Sequence, residues 1–434
     1  MPSNSRPAWP SVALTEVFEV RSGLSKPASE FGAGFPFVTF KDVLDNYFLP
    51  ETLGSLVRST ETERELCDVR RGDVFLTRTS ETQDELGMSS VALRDYEGAT
   101  FNGFTKRLRP KSTQQIVPEY AAYYFRSPQF RAEMSAFSSL STRASLNNAM
   151  LARLKIVLPD QRIQEEIGYT LRALDDKIEQ NRLIGQLLDE LARTTFKAWF
   201  VDFEPVKAKA AGQTSFPGMP AATFSALPDR LTASPIGLVP AGWSVQPLSK
   251  VANFLNGLAL QKYPPIGDAT DLPVIKIAEL RKGSAEGGAL ANAGVPGAYV
   301  INDGDLLFSW SGTLEVELWF GGRGALNQHL FKVTSDTYPR WLCLHWVRQH
   351  LPEFRLIASS KATTMGHIKR SHIDSALVVV PDSASSQAGN DVIGPLYELH
   401  ASLALETRKL AILRDYLLPR LLSGGALVRA AQVE

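Results

Sequence analysis

The chain has 434 residues, with 46 basic and 46 acidic side chains and a formal net charge of zero. This length suits two or three domains, and the neutral balance means that any nucleic-acid contact must come from local patches. The two cysteines, Cys67 and Cys343, lie far apart, which argues against a disulfide framework and fits a reduced compartment. No apolar stretch reaches membrane-spanning length and the start lacks a signal-like apolar segment, so we expect a soluble cytoplasmic protein.

Segments of the first half recur in the same order in the second half. The matched pairs are WPSVALTEV (9–17) with WSVQPLSKV (243–251), FPFVTFKDV (35–43) with LPVIKIAEL (272–280), RGDVFLTRTS (71–80) with DGDLLFSWSG (303–312), and RLKIVLPD (153–160) with SALVVVPD (375–382). Short runs rich in Val, Ile, Phe and Thr predict strands joined by tight turns, and residues 119–134 and 340–354 look helical. The repeat therefore predicts two similar mixed α/β globules.

A long helix is predicted after the first Pro-Asp, from Gln161 to about Phe200. Its apolar positions follow an alternating four-three spacing, at Ile167, Leu171, Leu174, Ile178, Leu188, Ala192 and Trp199. Such a stripe predicts a partner helix. The chain's final segment supplies one, with Leu396, Leu399, Leu403, Leu410, Leu413 and Leu417 in a similar stripe. Asn181 and Glu406 interrupt the two stripes, either to fix the register or because the stripe drifts to a solvated face.

The segment between the halves, residues 205–242, is rich in Ala, Gly, Pro and Ser and has no periodicity. This composition predicts a linker.

Two short segments resemble parts of catalytic sites, and the first is a carboxylate pattern. Asp160 of KIVLPD, followed by DDK at 175–177, is similar to the carboxylate pair and lysine of a metal-dependent nuclease, but helical rise separates the two groups by more than about 20 Å. The second copy also lacks such a triplet. We therefore interpret Asp160 as an N-cap and Asp175 as part of a polar helix face exposed to water or to a partner.

The other segment is EFGAGF (30–35), which matches a methyltransferase cofactor loop. It precedes a strand instead of opening a helix, so a turn is the better interpretation. The six histidines form no metal-binding motif. The sequence thus offers no catalytic or metal site.

Polar loops at matching places in the two copies remain unexplained. LTRTSETQ (76–83) and FSWSGTLE (308–315) follow equivalent strands, and STRASLNNAM (141–150) and TTMGHIKRSH (363–372) precede the last strand of each globule. FTKRLRPK (104–111) adds four cations. Hydroxyl, amide and basic side chains are those that contact phosphates and base edges, although single loops of this kind are often only solvated surface.

The segments RTTFKAWFVDFEPVKAKAAG (193–212), IGLVPAGW (236–243) and LRDYLLPRLLSGGALV (413–428) resemble the specificity subunit of type I restriction-modification systems. The resemblance spans the whole chain. It implies an α+β fold with two target recognition domains separated by two long helices in an antiparallel coiled coil. The corresponding domain boundaries are 1–160 and 243–382 for the recognition domains, 161–204 and 383–434 for the helices, and 205–242 for the linker.

The resemblance also implies a non-catalytic subunit that reads a bipartite site in double-stranded DNA. Two methyltransferase subunits would supply S-adenosylmethionine and adenine methylation, and two motor-nuclease subunits would use ATP and Mg²⁺ for restriction. The expected DNA contacts are Arg78, Lys106, Arg107, Arg143 and Asn147 in the first domain, and Trp310, Lys361, His367, Lys369 and Arg370 in the second. Basic residues would hold phosphates or guanine, and Asn147 would pair with adenine. The rival hypothesis is a coiled-coil adaptor without DNA sequence preference.

Overall fold

The chain forms two structural units. The computed structural model describes residues 9–79, 85–113, 115–138, 145–360 and 366–425. The first unit comprises Met1–Ile178 with Leu410–Glu434, and the second comprises Glu179–Lys409. Within the described residues, no helix is long and apolar enough to cross a membrane.

The first unit is built on a four-stranded antiparallel sheet and a smaller three-stranded sheet. In spatial order, the strands of the larger sheet are Phe18–Ser22, Thr105–Pro110, Val74–Thr77 and Ser89–Val91. The smaller sheet contains Ser55–Val57, Phe31–Val38 and Thr100–Phe101, and Ser11–Ala13 pairs with Lys155–Val157. The helices are Leu14–Val17, Phe40–Asp45, Glu61–Leu66, Pro118–Arg126, Pro128–Ser138 and Asn148–Arg153.

Aromatic side chains of the helix Pro118–Arg126 fill the core of the first unit. Tyr120, Tyr123 and Tyr124 are at most 1% exposed, because the helix is covered on several sides. Their hydroxyls still find partners: Tyr120 donates to the carbonyl of Val157, and Tyr124 accepts from the amide of Val157, both at 2.9 Å. These bonds fix the helix against the strand that precedes the first long helix.

Both long helices contribute to this core. The first spans Gln161–Phe196 and the second spans Ser383–Leu422. Leu171 of the first and Leu421 of the second are buried in the same apolar cluster. Asp175 accepts from the Tyr123 hydroxyl and from Arg414, both at 2.7 Å, so the expectation that Asp175 lies on an exposed polar face is wrong. An apolar stripe alone does not reveal that a carboxylate beside it will pair with an arginine of another helix.

The second unit repeats this plan. Its first sheet contains, in order, Asn253–Asn256, Leu330–Thr334, Leu306–Ser309 and Val316–Leu318. Its second sheet contains Leu290–Ala291, Leu272–Ile275, Gly324–Leu326 and Val300–Ile301, and Ser244–Pro247 pairs with Leu377–Val380. The helices after the linker are Leu248–Val251, Ile277–Lys282, Arg340–Ser360 and Arg370–Ser375.

The predicted linker contains regular structure within the second unit. It forms two short helices, Glu204–Ala210 and Ala221–Ala226, and a hairpin of Leu231–Ser234 with Gly237–Pro240. Phe224 and its apolar neighbours join the main core of the unit. The missing periodicity arises because each of these elements is too short to display one.

Within the second unit, the two long helices pack against each other in an antiparallel orientation. Asn181 donates to Glu406 at 2.7 Å, and Gly185 lies against His400. Asn181 is only 1% exposed, so drift to a solvated face does not explain this polar residue. The two polar interruptions meet, as expected of a pair that fixes register.

The EFGAGF segment is not a turn. Phe31–Val38 is one strand, and its pairing with Ser55–Val57 shifts between Phe31 and Phe35 as in a bulge. Gly34 has φ +105°, and a Cβ there would meet the backbone of Val57. The glycines therefore serve a bulged strand.

Candidate nucleic-acid interface

In the first unit, one end of the larger sheet gathers the predicted polar loops. The strand pairing of Val74–Thr77 ends at Thr77 opposite Thr105. Beyond it, Thr79 pairs with Ser145, and the amide of Leu146 donates to the carbonyl of Arg78 at 2.8 Å. Two loops that are distant in sequence are thus joined by main-chain bonds at this edge.

Lys106 lies at the centre of this edge. Its Nζ donates to Ser22 Oγ at 2.8 Å and to Asn148 Oδ1 at 2.9 Å, and the residue is 6% exposed. Burial, and then the charge of Arg78, lower the pKa of Lys106. The lysine therefore holds two polar side chains in place while two cations, Lys106 and Arg78, add positive charge to the same edge.

The other predicted residues of the first unit have different surroundings. Arg107 is 6% exposed and pairs with Asp68 at 2.9 Å, which gives it a structural role inside the unit. Asn147 is exposed, and its side-chain oxygen caps the helix Asn148–Arg153 by accepting from Met150 at 2.8 Å. Arg143 lies outside the described residues.

The second unit builds the same edge with different side chains. Ser309 lies opposite Leu330 at the end of the sheet, and Ser311 pairs with His367. The amide of Ile368 donates to the carbonyl of Trp310 at 3.0 Å. These contacts repeat, position for position, those of Thr77, Thr79 and Leu146.

Trp310 is a half-buried aromatic residue held in a fixed orientation. Its indole N–H donates to Asn256 Oδ1 at 2.9 Å and also to the carbonyl of Gln328 at 3.1 Å. The rings of His329 and His367 lie 5.9 and 6.2 Å from it. The predicted residues Trp310 and His367 are therefore brought together.

The remaining predicted residues of the second unit lie at the same edge or beyond the described chain. Arg370 donates to the carbonyl of Phe254 at 2.9 Å, and its guanidinium lies 5.9 Å from the ring centre of Phe331. Lys369 is exposed at the start of the helix Arg370–Ser375. Lys361 lies outside the described residues.

The matched registers show where the two edges differ. Lys106 pairs across the sheet with Ser22, and Phe331 pairs likewise with Asn256. The cation contributed by the sheet in the first unit is thus replaced by a phenylalanine in the second, where Arg370 of the following helix supplies the charge. The frame is common to both units, and the chemistry offered to a ligand differs.

Sequence reasoning missed several polar side chains of these edges. They are Ser22 and Asn148 in the first unit and Asn256, Ser311 and His329 in the second. Ser22 and Asn256 occupy equivalent positions in the aligned repeat, so extending the repeat alignment through the strands would have found them. No group of three or more His, Cys, Asp or Glu among the described residues is placed to hold a metal ion.

The chain is similar in sequence to known proteins. Residues 8–189 match the family described as the type I restriction modification DNA specificity domain. The MjaIX specificity subunit of Methanocaldococcus jannaschii is 24% identical, over 96% of this chain and 93% of that protein. The chain is therefore similar to type I restriction-modification specificity subunits.

Further similarities agree with this family. The HindI specificity subunit of Haemophilus influenzae is 23% identical, over 89% of this chain and 93% of that protein. The crystal structure of an S subunit from M. genitalium has a TM-score of 0.56 at 10% identity, and the match covers 99% of both chains. The predicted α+β architecture with long helices is confirmed by that fold.

Proposed function

We propose that this specificity subunit reads a bipartite site in double-stranded DNA, one half-site by each unit. The observation that carries the proposal is the shared backbone frame with different polar side chains at the two edges. Two different half-sites need a common docking geometry and distinct base contacts. An adaptor without sequence preference would have no use for such a duplicated polar edge.

The chemistry would be performed by other subunits. Methyltransferase subunits would bind S-adenosylmethionine and methylate adenine, and motor-nuclease subunits would use ATP and Mg²⁺ to translocate and cleave DNA in the cytoplasm. With no net charge of its own, the chain would depend on these partners for part of the phosphate contact.

Exposed apolar faces on the long helices support partner docking. Leu183, Leu187 and Leu191 are 48%, 70% and 53% exposed, and their spacing of four residues places them on one helix face. In the first unit, Ile412 and Tyr416 are 59% and 55% exposed with the same spacing. Such faces mark interaction surfaces in soluble proteins, so we assign one methyltransferase subunit to each.

The docking assignment is tested by native mass spectrometry of the complex. Leu187→Asp should remove one of two methyltransferase subunits, because a charge would be buried in an apolar contact. Leu356→Asp is the matched control, since Leu356 is also 70% exposed but lies on another helix. Equal stoichiometry in both variants would contradict the assignment.

The reading function is tested by mapping N6-methyladenine in cells that carry the chain with its methyltransferase subunits. Arg78→Ala should relax one half-site and Arg370→Ala the other, each by about 1–3 kcal/mol of discrimination. Arg162 and Arg230, with side chains 84% and 76% exposed, provide control substitutions outside the two edges. A methylation pattern without two separated half-sites would refute the proposal.

The long helices would set the gap between the half-sites. Lengthening both by whole turns should change the gap and leave both half-sites intact, because helical rise is fixed per residue. Altered half-sites with an unchanged gap would show that the helices are not the spacer.

A further inference from the structure

A four-residue turn lies at the edge in both units and holds one residue in a fixed position. In the first unit it is Asn102–Thr105, where the amide of Thr105 donates to the carbonyl of Asn102 at 3.0 Å. In the second unit it is Asn327–Leu330, closed by the equivalent bond, also at 3.0 Å. The third residue of the turn is Phe104 in one unit and His329 in the other.

The backbone of this third residue is held from both sides. The amide of Phe104 donates to Asn102 Oδ1 at 2.7 Å, and its carbonyl accepts from the amide of Arg78 at 2.7 Å. His329 repeats both contacts, with Asn327 Oδ1 at 3.2 Å and the amide of Trp310 at 3.3 Å. Because the backbone of this residue is already fixed, contact with a ligand would have to order only its side chain.

The side chains of Phe104 and His329 differ in chemistry and in exposure. Phe104 is 62% exposed, the most exposed large apolar side chain among the described residues of the first unit. It lies beside Arg78, on the edge that carries the cationic and amide side chains. His329 is half-buried, and its Nδ1 lies 2.9 Å from Ser311 Oγ, which orients the imidazole.

We propose that this turn residue determines specificity in each half-site, with Phe104 contacting the 5-methyl group of a thymine and His329 hydrogen-bonding to a base edge. The inference rests on the proposed reading function and names the residues that carry part of it. An aromatic ring can pack on a thymine methyl in the major groove, the one apolar group that base edges present there. Most of the surface of Phe104 is open to such a contact, because its own unit covers so little of it.

The test measures DNA binding by the complex with its methyltransferase subunits, on a duplex carrying the mapped bipartite site. Each thymine of the first half-site is replaced in turn by deoxyuridine, which lacks only the methyl group. At one position we expect binding by the unaltered protein to weaken about fourfold, the effect of exposing one buried methyl-sized group. In Phe104→Ala the same replacement should have no effect, and Phe104→Leu should retain part of it.

Phe31→Ala is the matched control, because Phe31 is also exposed, at 41%, but lies in the other sheet of the first unit. It should keep the deoxyuridine effect. In the second unit, His329→Phe should change one position of the other half-site in the methylation map.

The inference fails if the first half-site contains no thymine, or if no deoxyuridine replacement weakens binding. It also fails if Phe104→Ala leaves the thymine preference intact. These results, obtained with a protein that still methylates a bipartite site, would leave the proposed function standing. Absence of any bipartite site for the unaltered protein would overturn both.

Discussion

Gly23 and Gly257 occupy equivalent positions, each directly after a strand and against the backbone at the start of the four-residue turn of its unit. A Cβ on Gly23 would lie closer than 3.0 Å to the carbonyls of Phe101 and Asn102, and one on Gly257 would lie equally close to those of Leu326 and Asn327. Where backbone meets backbone, both units use the same residue. At the nearby polar edges, the equivalent side chains differ between the two units at most positions. The backbone frame and the side chains of the candidate reading surface therefore vary independently.

A contact inside each unit joins equivalent positions but uses different side chains. In the first unit the Tyr123 hydroxyl donates to Asp175 at 2.7 Å. At the equivalent place in the second unit, His345 Nε2 lies 2.9 Å from the Tyr397 hydroxyl. Each contact joins the helix that packs on the sheet to a long helix. Only the second pair contains a group whose usual pKa lies near neutrality.

The largest expected effect is the loss of stability when either of these two glycines is replaced. Gly23→Ala and Gly257→Ala should each destabilise their unit by about 3 kcal/mol, because rigid carbonyls cannot move away from the added methyl. The measurement is hydrogen exchange of the affected sheet, since a protein of two units need not unfold in one step.

Gly54→Ala and Gly297→Ala are the matched controls, because a Cβ at either position meets no described residue within 4 Å. They should change exchange little. If all four substitutions behaved alike, the close approach would not explain why both units have glycine at these positions.

The next prediction concerns the pH dependence of stability, which should differ between the two units. Burial, and then the charges of Arg348 and Arg193, lower the pKa of His345 to about 3. The unfolded chain has a histidine pKa of about 6.5 and so binds one more proton below that pH. Stability of the second unit should therefore fall as pH drops from about 6.5 towards 3, by about 2 kcal/mol at pH 5.

This effect is isolated by comparing the protein with His345→Gln. Gln keeps a group able to bond to Tyr397 but does not titrate, so the unfolding free energy of the variant should depend less on pH between 7 and 5. His400, whose pKa is also lowered by burial, remains in both proteins and cancels. A stability difference that is the same at pH 7 and pH 5 would contradict the assignment.

Much of the frame was predictable because repeats and periodicity are properties of the chain itself. The duplicated segments predicted both sheets' central strands, and the apolar stripes predicted both long helices. The internal structure of residues 205–242 was not predicted, because elements of four to seven residues carry too little periodic signal. Asp175 was misplaced because its partner Arg414 is distant in sequence.

The candidate interface was predictable as a region and less so in its residues. Polar loops at matched places located the edge, and Arg78, Trp310, His367 and Arg370 lie on it. Arg107 looked equivalent to Lys106 in the basic run 104–111, but it pairs with Asp68. Alternation along a strand sends neighbouring side chains to opposite faces, and a single basic run does not show which face meets the ligand.

A smaller effect concerns the Pro-Asp that precedes each long helix. Asp382 Oδ1 accepts from the amide of Ser385 at 2.8 Å, whereas Asp160 contributes only its main-chain carbonyl, bonded to Gln164. The side-chain cap predicted for Asp160 is therefore not found among the described residues, and the matched Asp382 has it instead. Asp382→Ala should cost about 1 kcal/mol more than Asp160→Ala, and Asp382→Asn should recover most of it, since asparagine also caps. Equal costs, measured by denaturation of each variant, would show that the observed cap contributes little.

The smallest effect concerns the tryptophans at the start of each repeat, which differ in one hydrogen bond. Trp243 donates its indole N–H to Ser385 Oγ at 3.2 Å, whereas the buried N–H of Trp9 has no partner among the described residues. Replacement by Phe also removes more packing at Trp243, which is buried among aromatic side chains, than at the half-buried Trp9, so a second substitution must separate the bond from the packing. We expect the bond to contribute about 1 kcal/mol to the larger cost of Trp243→Phe. Ser385→Ala supplies the cross-check: it should destabilise the protein when Trp243 is present and have little effect in Trp243→Phe, because the acceptor then has no donor to lose. If Ser385→Ala costs the same in both backgrounds, packing alone accounts for the difference between the two tryptophans.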